Sequence, residues 1–176
     1  ASILVAGCAS MKIDEGQLVA PDTLDRPSRI FVKTFEPGTS WTGDFGGRTK
    51  QQFIDYELDR LDSRLLVQLK DVAPAAMAPV SLPSSGWLVT GRLKRVNAGS
   101  GAARFWVGGF GVGAREVEAE VKVYDLSVSK SNPIVSFPID GGSRAEEGIM
   151  GAVDNLDAEW DRIARETRNL MLSRLQ

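Results

Sequence analysis

Residues 116 to 123 alternate without a break. Val117, Ala119, Val121 and Val123 are apolar, and Glu116, Glu118, Glu120 and Lys122 between them are charged. Side chains on a strand point alternately to opposite faces, so this run specifies a strand with one buried and one wet face. A fold built on it needs apolar cover on one side only.

Two amphipathic helices offer that cover. Ile54, Leu58, Leu61, Leu65, Leu69 and Val72 recur every three or four residues, which places them on one helical stripe. Thr49 and Gln52 have the spacing of a capping box that starts this helix, and it is expected to end near Asp71. Asp55, Glu57, Asp59 and Asp62 read as its solvated side. Val153, Leu156, Trp160, Ile163, Thr167, Leu170 and Met171 form a second stripe near the carboxyl end, with Ser143 and Glu146 as a second capping box.

Further strands are expected at Arg29–Phe35, Trp87–Lys94 and Ile134–Ile139. In the first, Ile30 and Val32 face one way and Phe31 and Phe35 the other, with Pro37-Gly38 ending the strand and Thr39 to Arg48 forming a loop. Pro138 marks the last strand as an edge, because proline cannot donate to a ladder. Pro74 to Pro79 reads as a connection leading to a parallel, right-handed return to the sheet. The order strand, helix, strand, strand, strand, helix predicts an α+β fold, a mixed four-stranded sheet packed against long helices.

At 176 residues the chain suits one domain, assigned to 29–176, behind a Pro- and Asp-containing tether at 9–28. Apolar residues make up 43% and charged residues 25%, enough for a real core. The net charge of -2 argues against a nucleic-acid surface. The sequence contains no histidine, and Cys8 is its only cysteine. These absences remove Ser-His-Asp and Cys-His nucleophile systems, His-ligated zinc and internal disulfides. No metal or cofactor is expected.

Leu4-Val5-Ala6-Gly7-Cys8 resembles the end of a bacterial lipoprotein signal peptide, with residues 1–8 as its remnant and Cys8 as the lipidation site. That resemblance implies a diacylglyceryl group on the thiol and a precursor with a longer leader. Ala9 after the cysteine implies sorting to the outer membrane, with the domain facing the periplasm; the alternatives are an inner-membrane lipoprotein or the cell surface. The membrane is then a partner through Cys8.

Gly108, Gly109, Gly111 and Gly113 lie among Phe105, Trp106, Val107, Phe110 and Val112, flanked by Arg104 and Arg115. Residues 109 to 114 satisfy a loose dinucleotide-binding pattern, but a strand follows them where that fingerprint needs a helix. The glycines read as a hairpin or bulged crossing. Arg104, Phe105, Trp106, Phe110, Gly111, Gly113 and Arg115 form a candidate interaction surface if the aromatics stay exposed. Burial under the helices is the alternative.

These residues also carry a wider resemblance. Ala103-Arg104, the Val107 to Gly113 run, the valine strand ending in Tyr124-Asp125 and the later Gly141-Gly142 resemble a family of uncharacterised proteobacterial lipoproteins over residues 29–175. That family's segment reads Ala-Arg, an apolar pair, then Gly-Phe-Gly-x-Gly; Gly108-Gly109 doubles its first glycine here. The element order is more distantly similar to the TolB amino-terminal domain and to lipoprotein activators of penicillin-binding proteins.

Other motifs are weaker. Gly46, Gly47, Arg48 and Thr49, at a helix start, are candidates for binding an anion through backbone N–H groups. Ser127-Val128-Ser129-Lys130 matches Ser-x-x-Lys by chance, since it does not open a helix. The expected function is binding an envelope protein or further copies of the chain, without catalysis. One alternative is a small-ligand or anion sensor at Gly46-Gly47; the other is a hydrolase lacking His and Cys, built around Asp44 and Arg48.

Overall fold

The computed structural model describes residues 24–99, 116–142 and 156–175. Among them, six strands form one mixed sheet and two helices cover one of its faces, as the α+β expectation requires. The strands are β1 (Ile30–Val32), β2 (Glu36–Thr42), β3 (Ala75–Met77), β4 (Trp87–Asn97), β5 (Glu116–Asp125) and β6 (Val135–Gly142). The helices are α1 (Lys50–Leu69) and α2 (Asp157–Ser173). The spatial order is β3-β1-β4-β5-β6, and β2 also pairs with β4.

The alternating run behaves as its pattern dictates. Val117, Ala119, Val121 and Val123 are fully buried, and the intervening charged residues are half-exposed. β5 lies antiparallel between β4 and β6, with Val121 opposite Gly91 on one side and Phe137 on the other. Among the described strands β6 is an edge, which accommodates Pro138.

The expected capping box opens α1. The Gln52 N–H donates to Thr49 Oγ1 at 3.2 Å, and the Thr49 N–H donates to Gln52 Oε1 at 3.1 Å. Leu58, Leu61, Leu65 and Leu69 of α1 meet Trp160, Ile163, Leu170 and Met171 of α2 in one core with the inner sheet face. The second capping box and Val153 lie outside the described residues.

The sheet has more strands than the four expected, because residues 30 to 42 do not form one strand closed by Pro37-Gly38. β1 and β2 both run parallel to β4 along the same edge, opposite Trp87–Val89 and Arg92–Asn97 respectively. Lys33 to Phe35 interrupt them. The interruption changes the facing parity, so Phe35 joins the helix-side core with Ile30 and Val32, while Phe31 packs on the opposite face. Trp41, read from sequence as a loop residue, lies in β2, buried, its ring edge-on to Phe53 at 6.2 Å. The connection after Pro74 contains β3, paired in parallel with β1.

The acidic face assigned to α1 holds at Asp55 and Asp59, which are exposed, and is corrected at Glu57 and Asp62. Glu57 and Asp62 are 2% and 6% exposed. Polar groups compensate for part of this burial: the Trp160 indole N–H donates to Glu57 Oε2 at 2.6 Å, and the Thr34 hydroxyl donates to Asp62 Oδ2 at 2.6 Å. Arg60 and Arg64 reach from α1 to Asp157 of α2, and Arg168 returns to Gln68 and Asp71, so charged pairs border the apolar seam.

Candidate functional site

Among the described residues both helices lie on one face of the sheet, and the opposite face carries alternating polar and charged side chains. Its side chains follow from strand register. Phe31, Leu88 and Tyr124 sit side by side across β1, β4 and β5. Thr90 pairs with Lys122 two residues further along, and Glu36, Arg92 and Glu120 form the next row across β2, β4 and β5. Phe31, Leu88 and Leu126 are buried together under Ala78 and Leu82, making a small second apolar cluster at one end.

Beside that cluster the open face carries a depression of about 360 Å³. Leu82, Leu88 and Tyr124 form its apolar wall, Thr90 supplies a hydroxyl, and Lys33, Arg92, Lys122 and Lys130 bring positive charge; Thr34 also lines it, with its own hydroxyl donated to Asp62. Glu36 and Glu120 are the carboxylates in its lining. Lys122 Nζ lies 3.5 Å from Glu120 Oε1, and Lys130 Nζ donates to the Leu82 carbonyl at 3.3 Å. Four cations therefore face two carboxylates in a chain whose net charge is -2.

Thr34 links this face to the core. Its hydroxyl binds Asp62 Oδ2, whereas Asp62 Oδ1 is buried without a hydrogen-bond partner. Burial pushes the Asp62 carboxyl above its ordinary value; the Thr34 hydrogen bond opposes the shift and the neighbouring Asp59 charge adds to it.

The loop before α1 uses many of its own donors. The Gly46 N–H donates to Asp44 Oδ1 at 2.9 Å, the Arg48 N–H to the Phe45 carbonyl at 3.2 Å, and Thr49 and Gln52 cap each other. Gly46 and Gly47 both have positive φ, which glycine adopts without strain. The Arg48 guanidinium lies 4.5 Å from the centre of the Tyr56 ring. Asp44 and Arg48 thus engage separate partners.

Ser127 Oγ donates to Asp125 Oδ1, while Lys130 turns to Leu82, so the Ser-x-x-Lys spacing does not bring these two groups together. Cys8 and the candidate surface of Arg104, Phe105, Trp106, Phe110, Gly111, Gly113 and Arg115 lie outside the described residues. Among the described residues, no group of three or more acidic, His or Cys side chains is arranged to hold a metal ion, and no helix is long and apolar enough to cross a membrane.

Sequence reasoning did not single out the depression. Its residues come from 33–36, 82–92 and 120–130, and each segment alone reads as ordinary strand or turn. The alternation in β5 identified a wet face but not what stands beside it.

Several solved structures share the fold, two of them as follows. A PelC dodecamer from Paraburkholderia phytofirmans, crystallised as a point variant, is 13% identical with a TM-score of 0.50, covering 89% of this chain and 93% of that one. A DUF330 protein from Xanthomonas campestris is 11% identical with a TM-score of 0.52, covering 88% and 94%. At these identities the likeness concerns the fold alone. No curated protein sequence matches the chain significantly. Residues 50–157, from the start of α1 to the first residue of α2, match the family model described as a domain of unknown function, DUF4410. The chain belongs to the DUF4410 family.

Proposed function

We propose that this chain is a lipid-anchored, periplasm-facing module that works by binding another envelope component, a protein or further copies of itself, and not by catalysis. The observation that carries this reading is the one-sided cover of the sheet among the described residues: α1 and α2 pack on one face, and the other presents a charged surface with a depression. A sheet with one free face can add a binding partner without disturbing its core. Gly7-Cys8 supports the anchor. The PelC structure that shares the fold is described as a dodecamer, which supports the self-association branch.

Crosslinking and affinity capture of the full-length protein from its native membrane, with Cys8→Ser as control, tests the proposal. The expected result is one envelope partner or a ladder of self-adducts, together with release of the Cys8→Ser protein from the membrane fraction. A lone, uncrosslinked chain would overturn the binding reading. Unchanged membrane retention of Cys8→Ser would overturn the anchor.

A further inference from the structure

We infer that the depression on the open face binds the phosphate group of a small phosphomonoester. This deepens the reading of that face as the binding surface and rests on it. Four observations converge.

The first is local charge. Lys33, Arg92, Lys122 and Lys130 outnumber Glu36 and Glu120 by two, although the chain as a whole is negative. A phosphomonoester carries about -1.5 to -2 at pH 7, which matches that surplus. A carboxylate or phosphodiester supplies only about half as much.

The second is how the charges are engaged. Glu36 and Glu120 flank Arg92 in adjacent strand positions, and Glu120 also contacts Lys122. Among the described residues, Lys33 has no carboxylate within ion-pair distance, and the Lys130 ammonium reaches only a carbonyl. Among the described residues three of the four cations, Lys33, Arg92 and Lys130, therefore hold no carboxylate within ion-pair distance, and two of these are lysines. Ammonium groups on flexible stems act as mobile point charges suited to a group with several equivalent oxygens.

The third is the lining. Thr90 places a hydroxyl beside the cations, and Leu82, Leu88 and Tyr124 form an apolar shelf for the organic part of the ligand. Placing polar anchors next to an apolar wall is the usual construction of a small-molecule site. The fourth is size: about 360 Å³ falls in the range of small-molecule pockets.

Titration calorimetry on the full-length protein with phenyl phosphate, phenyl sulfate and phosphatidylglycerol vesicles tests this. Phenyl phosphate should bind, weaken as salt rises, and exceed phenyl sulfate. The double variant Lys33→Ala/Lys130→Ala should bind it about tenfold more weakly or worse, as expected for losing charge-assisted contacts. Both side chains are exposed, so an unchanged circular dichroism spectrum and unfolding midpoint are expected. No heat with phenyl phosphate, equal affinity in the double variant, or binding to the vesicles alone would each overturn the phosphomonoester site. If envelope capture by crosslinking persists in any of those cases, the binding role of the protein stands without this ligand.

Discussion

Trp160 of α2 and Glu57 of α1 are joined across the helix interface by a 2.6 Å hydrogen bond, with both residues buried. Arg60 supports the same carboxylate from 3.4 Å at its other oxygen. The bond connects residues 103 positions apart and fixes the rotation of one helix against the other.

Trp160→Phe keeps most of the ring volume but removes the indole N–H. Leaving the buried Glu57 oxygen without its donor is expected to cost about 1.5–3 kcal/mol, the range for hydrogen bonds to charged groups. Urea unfolding measures it. Restoration of part of the loss by adding Glu57→Leu to Trp160→Phe would identify the Glu57 oxygen left without its donor as the cause, because an apolar replacement removes the orphaned group.

Asp62 makes stability depend on pH in a defined direction. Its carboxyl is raised in the folded protein, so the fold favours the protonated form. The stabilisation is fully present below the unfolded value, near 3.8, and is lost as pH rises through the higher folded value. Asp62→Asn stays neutral and retains an oxygen to accept from Thr34. Its urea midpoint should exceed the wild type's at neutral pH, and the gap should shrink as pH falls towards 3.8. A wild type more stable than Asp62→Asn at neutral pH would contradict the assignment.

Gly38 marks a tight approach of β2 to β4. A methyl group there would lie 1.9 Å from the Leu93 carbonyl oxygen and 2.9 Å from that of Lys94, both rigid backbone atoms. The register of β2 on β4 shifts between Pro37 and Ser40, and that of β4 on β5 shifts between Leu93 and Arg95, so two irregularities face each other here. Gly38→Ala should destabilise by about 1–3 kcal/mol or more, the cost of overpacking where the neighbour cannot yield. Gly47→Ala meets nothing within 4 Å and should cost less, about 1 kcal/mol for its positive φ. Thermal unfolding of the two variants side by side checks the order.

The sequence by itself determined the elements whose periods are local. The alternation of Val117 to Val123 fixed β5 and its wet face, the three- and four-residue spacing of Leu58 to Leu69 fixed α1, and Thr49 with Gln52 fixed where it starts. Each of these signals is contained within one run of backbone. β1, β2 and β3 carry weaker signals because short parallel strands depend on a partner elsewhere: Ala75–Met77 is a strand only because β1 lies beside it. Glu57 and Asp62 read as solvent-facing acids because their compensating donors, Trp160 and Thr34, lie 103 and 28 residues away. The depression likewise exists only where the 33–34 link, β2, β4 and β5 come together. Tertiary structure decided these features because burial of a polar group depends on a distant partner, which local periodicity does not encode.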